Sequence, residues 1–285
     1  MARKRSNCCA ESLGVTDPLN HRRTNVPGLL THSVALITGA SRGIGAAIAQ
    51  AFATEGASLC LIARHQAGLD ALAAQLPLDN SAKVMTLVLD VTNREACFQA
   101  VSDTLQHFGH IDTLVNNAGI YKSQPFLNYA ASDFQDMLDV NFFGVLHFMQ
   151  ACLPHMQARH KGSIINIAST AGKWGSRNQS AYNVSKHAVV GLTRCVALEA
   201  SPHQVTVNAI CPGFVETDML DELRTQASIS AGISAEDFDK AALSRVPLGR
   251  MMRPEEIASM AVFLASKNGN GMTGQSIHMD GGMVL

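Results

Sequence analysis

The stretch that decides the fold is 33-SVALITGASRGIG-45, an apolar run followed at once by a glycine-rich turn. A run that is nearly all apolar is typical of a strand buried on both faces. Gly39, Gly43 and Gly45 then stand where this strand turns into the Ala-rich helical pattern of residues 43–56. Glycine tolerates positive φ and lets the backbone approach a bound group closely. The stretch therefore predicts a strand, a tight turn and a helix in direct succession.

The same alternation of strand and helix continues along the chain. Strands are predicted at residues 33–38, 58–63, 83–89, 112–117, 163–169, 204–210 and 275–280. Helices are predicted at residues 43–56, 66–76, 93–108, 132–158, 181–200 and 254–265, with Asn141 interrupting the fourth. Such alternation indicates right-handed βαβ units. We predict an α/β fold, a doubly wound (Rossmann) parallel sheet of about seven strands with helices on both faces, in one domain over residues 33–285.

The composition limits the class of protein. Of 285 residues, 47% are hydrophobic and 16% charged, which indicates a globular chain. The net charge is -1 with no long basic run, so we expect no nucleic-acid partner. No apolar stretch approaches the ~18 residues that span a bilayer, so no membrane association is expected. Residues 1–32 are polar and lack the apolar core of a secretory signal, and we predict a disordered tail there.

Cysteine and histidine give no sign of a metal site. The seven cysteines form no CxxC pair, and the eleven histidines form no HExxH pattern. Several cysteines lie inside apolar runs, as in SLCLIA at residues 58–63. We interpret them as buried free thiols in a reducing compartment, which favours a cytoplasmic protein with no bound metal.

The glycine turn is the first candidate site. The helix that follows it offers free N–H groups and a positive dipole end to a pyrophosphate. Its spacing is GxxxGxG and not the dinucleotide pattern GxGxxG, so an ordinary tight turn remains the alternative. Arg64 stands at the end of the second strand, where NAD binders carry an acid, and Arg42 lies in the turn. Two guanidiniums suit a 2′-phosphate, so the sequence favours NADP(H) over NAD(H), with solvated surface arginines as the alternative.

A second candidate site is 181-AYNVSKHAVVGL-192. Tyr182 and Lys186 are four residues apart and share one face of the predicted helix. A nearby ammonium lowers the pKa of a tyrosine, which gives an acid–base group near neutral pH. Exposed tyrosines and lysines also fall at this spacing by chance. NNAG at residues 116–119 and Ser169 end strands at the same predicted sheet edge, which strengthens the functional interpretation.

The ordered set of TGASRGIG, NNAG, Ser169, YNVSK and 212-PG-213 resembles the short-chain dehydrogenase/reductase family over residues 33–282. The resemblance implies that Tyr182 is the general acid, or the base in the reverse direction. Lys186 would lower its pKa and bind the nicotinamide ribose, and Ser169 would hydrogen-bond the substrate oxygen. Asn141 would hold a water that links Lys186 to solvent, and a structural role in the helix bend is compatible with this. The implied catalytic set is Asn141, Ser169, Tyr182 and Lys186.

The resemblance also implies a cofactor-binding surface. Asp90 would contact the adenine and Val91 would line its pocket, while Asn116 would help to shape the central wall. The implied set is Gly39, Ser41, Arg42, Gly43, Ile44, Gly45, Arg64, Asp90, Val91, Asn117, Ala118, Gly119, Tyr182, Lys186, Pro212, Gly213, Val215 and Thr217.

Residues 213–250 mix amphipathic helix with polar loop, and we predict that they form a substrate lid. Within the family, ICPGFVETDM followed by RVPLGR is most similar to β-ketoacyl reductases of fatty-acid, polyhydroxyalkanoate and polyketide pathways. This implies an NADPH-dependent carbonyl reductase that converts a 3-oxoacyl thioester of acyl carrier protein or coenzyme A to the 3-hydroxyacyl product. It also implies a homotetramer.

Two other functions remain open. One is an NAD(P)-dependent dehydrogenase of a hydroxy acid, a cyclic alcohol or a steroid. The other is a non-catalytic nucleotide-binding scaffold, against which the complete catalytic set argues. The basic cluster Arg159, His160 and Lys161 is a candidate docking point for an acidic carrier protein. Cations also stabilise a helix C-terminus, and that interpretation of the cluster is favoured.

Overall fold

A computed structural model of the chain describes residues 28–78 and 82–284 and contains one sheet of seven parallel strands. The strands are β1 Val34–Thr38, β2 Ser58–Ala63, β3 Val84–Val88, β4 Thr113–Asn116, β5 Gly162–Ile167, β6 Val205–Pro212 and β7 Ser276–Met279. Their order in the sheet is β3-β2-β1-β4-β5-β6-β7. The chain adds β2 and β3 on one side of β1 and then adds β4 to β7 on the other, so the order of the strands reverses between β1 and β4. A doubly wound sheet binds its ligands at the carboxyl ends of the strands near such a reversal. The predicted fold class is confirmed.

Helices cover both faces of this sheet. They are α1 Gly43–Thr54, α2 Gln66–Ala73, α3 Arg94–Phe108, α4 Ala131–Leu138, α5 Gly144–Arg159, α6 Ser180–Ala200, α7 Asp218–Ala231, α8 Ala235–Leu243 and α9 Pro254–Ala265. In β1, Ala35 and Ile37 pack against the layer of α1, α2 and α9, while Leu36 packs against the layer of α3, α5 and α6. Because both faces of the strand are buried, its sequence is a continuous apolar run and does not alternate.

The predicted helix at residues 132–158 is divided into two. A π-helical turn at Asp139–Phe143 joins α4 to α5, and Asn141 lies buried at its centre. Single π-helical turns inside α-helices are frequent at functional sites. The predicted interruption at Asn141 is therefore confirmed.

The predicted tail extends too far into the domain. Leu30 is 1% exposed and belongs to the core beneath α1. Its backbone N–H donates to the carbonyl of Glu55 at 3.0 Å, and the N–H of Leu29 donates to the Glu55 carboxylate at 2.7 Å. Residues 28–32 are thus part of the domain, because burying Leu30 and pairing these amides favours the packed chain. The remainder of the predicted tail, residues 1–27, lies outside the described residues.

Five cysteines lie in the described part of the chain, all as free thiols. Cys60, Cys97, Cys152 and Cys211 are buried, and Cys195 is exposed. Burial raises the pKa of the Cys60 thiol to about 11, which keeps it protonated and inert. Across residues 28–78 and 82–284, no helix is long and apolar enough to cross a membrane. The same residues contain no group of three side chains suited to hold a metal ion.

Helices α7 and α8 pack on each other in a small cluster apart from the two main layers. Leu220, Ala242 and Met251 form its buried centre. On the surface, Arg224 of α7 donates to both carboxylate oxygens of Asp239 in α8, at 2.8 and 2.9 Å. These two helices are the amphipathic part of residues 213–250, and their role as a lid stays a prediction.

Candidate active site

The turn between β1 and α1 needs glycine at its predicted positions. Gly39 and Gly43 have φ of 62° and 57°. A Cβ on Gly39 would lie 2.8 Å from the Cα of Ala118, and one on Gly45 would overlap the carbonyl oxygen of Gly39. The side-chain amide of Asn117 donates to this carbonyl at 2.9 Å, which ties the turn to the end of β4. Positive φ at Gly39 and Gly43, with close backbone contacts at Gly39 and Gly45, therefore accounts for the three glycines.

A cleft of about 590 Å³ opens above this turn at the carboxyl ends of the strands. Its lining includes the predicted residues Gly39, Ser41, Arg42, Gly43, Ile44, Arg64, Asp90, Val91, Asn117, Ala118, Gly119 and Thr217. No side chain caps the N-terminus of α1, so its first N–H groups are left for a ligand. An elongated cleft with a glycine floor, bare helix amides and arginines at its side fits a dinucleotide.

Two predicted residues do not reach the cleft. Gly45 is enclosed in the turn, where it allows α1 to approach the strand. Asn116 is 2% exposed, and its amide donates to the side chain of Asn166 in β5 at 2.9 Å. Asn116 therefore joins two strands inside the sheet, and its predicted part in the cofactor wall is wrong. Its neighbour Asn117 lines the cleft instead.

The two arginines of the cleft have different partners. Arg64 follows β2 and is exposed, and no described carboxylate lies within ion-pair distance of it. Arg42 pairs with Asp218 of α7 at 2.9 Å and approaches Glu222 at 3.7 Å. Arg64 is thus available to an anion in the cleft, while Arg42 connects the glycine turn to α7.

The remaining predicted residues meet in an adjoining cavity of about 240 Å³. It is lined by Ser169, Tyr182, Lys186, Pro212, Gly213 and Val215. Ser169 follows β5, and its Oγ accepts the backbone N–H of Ala171 at 3.1 Å. Lys186 is 5% exposed and donates from Nζ to the carbonyl of Ile167 at 2.9 Å. The Lys186 Nζ lies 5.7 Å from the centre of the Tyr182 ring, so the predicted pair does share one environment.

Asn141 lies behind this cavity and does not line it. Its Oδ1 accepts the N–H of Ile120 at 2.8 Å, and its Nδ2 donates to the carbonyl of Ile120 at 3.0 Å. The same Nδ2 donates to Ser185 Oγ of α6 at 3.0 Å. Asn141 therefore links the segment that follows β4 to α6, the helix that carries Tyr182. Its bonds to backbone agree with the helix-bend interpretation. Its water-holding role stays a prediction.

The predicted direction of the Tyr182 pKa is wrong. Burial raises the pKa of Tyr182 to about 12, and a hydrogen bond with Ser169 opposes this only in part. Burial also lowers the pKa of Lys186 to about 8. The loss of solvation on burial disfavours the charged form of each group and is the largest cause of both shifts. At neutral pH the pair is therefore a neutral phenol beside an ammonium.

The sequence prediction missed several residues that line the cavity. They include Ile120, Tyr121, Trp174, Arg177 and Met283, whereas Phe214 and Arg245, which also line the cavity, fall in the predicted lid segment. Tyr121 packs edge-on against Tyr182, with ring centres 5.0 Å apart. Trp174 had a visible signal, because it is the single tryptophan of the chain and lies between Ser169 and Tyr182.

The basic cluster at the end of α5 has an internal partner. Arg159 and Lys161 both contact Asp112, at 3.2 and 2.9 Å, and His110 contacts it at 3.0 Å. Asp112 is 5% exposed; burial raises its pKa, but the bonds from Lys161 and the Val34 N–H outweigh burial and hold it below its usual range. Two of the three cluster residues thus pair with a carboxylate of the domain itself, a structural role that the sequence did not indicate, and both earlier interpretations of the cluster stay predictions.

Comparison with known proteins agrees with this geometry. A family model described as "Enoyl-(Acyl carrier protein) reductase" matches residues 39–284. A 3-oxoacyl-[acyl-carrier-protein] reductase FabG of Thermotoga maritima is 38% identical over 259 residues, covering 90% of this chain and 99% of that protein. The short-chain reductase protein NovJ of Streptomyces niveus is 39% identical over 250 residues, covering 88% and 93%.

A solved structure of a short-chain dehydrogenase/reductase also resembles this fold. The crystal structure of a short-chain type dehydrogenase/reductase from Mycobacterium marinum matches with a TM-score of 0.82 and 35% identity. The match covers 90% of this chain and 97% of that one. This chain belongs to the short-chain dehydrogenase/reductase family and is an oxidoreductase that acts on CH–OH and C=O groups.

Proposed function

We propose that this protein is an NADPH-dependent carbonyl reductase that reduces a 3-oxoacyl thioester, of acyl carrier protein or coenzyme A, to the 3-hydroxyacyl product. The observation that carries this proposal is the meeting of Ser169, Tyr182 and Lys186 in one cavity that adjoins the glycine-floored cleft. Curated relatives between 34% and 38% identical carry the name 3-oxoacyl-[acyl-carrier-protein] reductase, which supports the substrate class.

The cavity has the groups that carbonyl reduction requires. A nicotinamide held in the adjoining cleft would supply the hydride chemistry. Tyr182 is protonated at neutral pH and donates its phenol proton to the carbonyl oxygen. Ser169 Oγ accepts a bond from Ala171, which leaves its own hydroxyl hydrogen to donate to the same oxygen as charge develops. Lys186 holds its ammonium beside the phenol and stabilises the phenolate that remains.

The preference for NADP(H) rests on the end of β2. Arg64 lines the cleft there without a carboxylate partner among the described residues. A free guanidinium binds a 2′-phosphate through charge-assisted hydrogen bonds, which the ribose of NAD(H) does not offer. Gly39 to Gly45 would hold the pyrophosphate, and Asp90 and Val91 would lie along the adenine.

Three wider expectations, from the family resemblance, the cysteine content and the pattern of residues 213–250, complete the proposal. They are a homotetramer, a cytoplasmic location and a lid formed by residues 213–250. Light scattering on the purified full chain tests the first of these, and a monomer at micromolar concentration would remove it from the proposal.

The first experiment follows absorbance of the reduced nicotinamide with purified protein, acetoacetyl-CoA and either NADPH or NADH. We expect rapid loss with NADPH and slower loss with NADH. Crotonyl-CoA serves as the comparison substrate, because the matching family model is described as an enoyl reductase. Loss with crotonyl-CoA alone would replace the ketoreductase proposal with enoyl reduction. No loss with either, from protein that binds NADPH, would direct the search to hydroxy acids, cyclic alcohols and steroids.

A further inference from the structure

The cavity beside Tyr182 carries positive charge that proton transfer does not need. Its described lining contains three cationic side chains, Arg177, Lys186 and Arg245, and no Asp or Glu. The chain as a whole has a net charge of -1, so this concentration of positive charge is local. Lys186 is buried and belongs to the reacting centre, whereas Arg177 and Arg245 are exposed. The two arginines therefore require a separate explanation.

Neither arginine is neutralised by the protein. No carboxylate among the described residues lies within ion-pair distance of Arg177 or Arg245. Elsewhere on the surface, Arg42, Arg224 and Arg250 each pair with an aspartate or a glutamate. Exposed guanidiniums without a partner stay hydrated at little cost and keep all their donors for an incoming anion.

Arg245 is also held in position. Its guanidinium lies over the ring of Trp174, 4.5 Å from the ring centre. The carbonyl of Trp174 accepts the side-chain amide of Asn183 at 2.6 Å, and Asn183 follows Tyr182 in α6. Stacking occupies the face of the guanidinium and leaves its N–H edge free for a planar oxyanion. The catalytic helix thus fixes, through Trp174, where this cation stands.

We propose that Arg177 and Arg245 form a binding subsite for an anionic oxygen group of the substrate, a carboxylate or a phosphate. The inference rests on the proposed reductase function and narrows its substrates to 3-oxoacyl compounds that carry such a group. The apolar side chains of Ile120, Phe214 and Leu220 line the same cavity and suit the chain between ketone and anion. For a thioester the anion has two sources, the phosphate of the pantetheine arm or a carboxylate on the acyl chain.

Trp174 allows a test that needs no turnover. As the single tryptophan of the chain it reports directly on the stacked Arg245. The purified full chain is titrated at constant ionic strength with 4′-phosphopantetheine, with glutarate, and with neutral pantetheine as the control ligand. We expect a saturable change in tryptophan fluorescence with at least one of the two anions and none with pantetheine. A response to neither anion, or an equal response to pantetheine, would overturn the subsite.

Substitutions distinguish the proposed anion contact of Arg177 from the stacking of Arg245 on Trp174. Arg177→Gln leaves the stack on Trp174 in place and is expected to weaken the fluorescence response by about tenfold in affinity. Arg94→Gln is the matched control, because Arg94 stacks on Phe98 at 4.2 Å and does not line the cavity. Its titration should equal that of the wild type. An unchanged affinity in Arg177→Gln would contradict the role given to Arg177.

Kinetics then identify the source of the anion. The substrates are acetoacetyl-CoA, its N-acetylcysteamine thioester without phosphate, and the 3-oxoadipyl N-acetylcysteamine thioester with a carboxylate on the acyl chain. Arg245→Gln should raise KM about tenfold for the substrate with the recognised anion and leave the neutral thioester within twofold. Arg245→Lys keeps the charge without the planar fork and should give an intermediate KM. Equal losses on all three substrates would mean a packing role only.

The two proposals fail in different ways. If the wild-type protein reduces none of the three substrates, the reductase proposal fails, while the fluorescence titration still tests the subsite. If reduction is rapid but both arginine variants behave as the wild type on every substrate, the subsite fails and the reductase proposal stands.

Discussion

The two sides of the active-site cleft are held together by different means. The sheet side consists of strand ends and α6, where Lys186 is 5% exposed and bonded to Ile167 and where Gly45 touches the backbone of Gly39. The α7 side combines a small apolar cluster shared with α8 with exposed ion pairs, such as Arg42 with Asp218, whose side chains are 62% and 63% exposed. Exposed pairs contribute at most about 1 kcal/mol each. The reacting groups and the glycine turn are thus held by buried contacts, while α7 depends in part on exposed ones.

The largest effect is expected on the sheet side. Tyr182→Phe removes the proton donor but keeps the ring that packs on Tyr121, so kcat should fall by about 10²- to 10⁴-fold with NADPH binding near normal. Steady-state rates and NADPH titration measure the two properties. Tyr129→Phe is the control, because its hydroxyl bonds backbone carbonyls of nearby loops and does not line the cavity, and it should keep most of the turnover. A Tyr182→Phe enzyme that turns over normally would disprove the assignment of the acid.

The second-largest effect is expected on the preference between NADPH and NADH. Arg64→Asp replaces a free cation in the cleft by an acid that accepts the ribose hydroxyl of NADH. The ratio of kcat/KM for NADPH to that for NADH should fall by about 10- to 100-fold. Arg194→Asp, the same charge change on the exposed surface of α6, is the control and should leave the ratio unchanged. If the ratio is equal in Arg64→Asp and wild type, the 2′-phosphate contact does not exist.

The pH dependence tests the buried pair. Lys186 has a pKa of about 8, so its ammonium is present below that pH and is lost above it. We expect kcat/KM for reduction to be level below pH 8 and to fall by up to tenfold per pH unit above it. Unfolding does not explain such a fall. The pKa of Lys186 is about 8 in the folded protein and 10.5 for an ordinary lysine, so this group makes the folded state more stable relative to the unfolded state as pH rises between these values. Thermal unfolding measured in parallel checks this, and a profile level through pH 9 would contradict the Lys186 assignment.

The smallest effect is expected on the α7 side. Asp239→Asn removes the carboxylate charge and one of the two bonds from Arg224 that connect α7 to α8, and should lower Tm by about 1–3 °C and change KM a few-fold with kcat preserved. Asp221→Asn removes a bond from Arg224 within α7 only, and should change KM less. Calorimetry and steady-state kinetics measure both. A loss of kcat comparable with that of Tyr182→Phe would remove the contrast between the two sides.

Most of the fold could be predicted because parallel strands buried on two faces leave continuous apolar runs in the sequence. Six of the seven strands fall where largely apolar runs occur, whereas the edge strand β7 is half-buried and mixes apolar with polar residues. The start of the domain was placed too late, because Leu29 and Leu30 form only a short apolar pair, and the bond that ties Leu30 to the domain comes from the distant Glu55. A pattern along the chain does not contain that contact.

The candidate site, like the fold, could be predicted from the sequence only in part. Residues at strand ends and in the glycine turn could be located because topology brings them to one edge. The Tyr182 pKa could not be predicted, because spacing shows the neighbouring charge and not the burial. Arg245 and Trp174 lie far apart in sequence, and nothing local in either segment indicates that they stack.

Arg42 belongs to both sides of the cleft, since it leaves the glycine turn and ends on Asp218 and Glu222 of α7. An anion that binds this guanidinium in the cleft would compete with the two carboxylates of α7 for its donors. Thermodynamic linkage makes such competition reciprocal. The strength of the ion pairs to α7 would therefore enter directly into the affinity of the cleft for phosphate, through a single side chain.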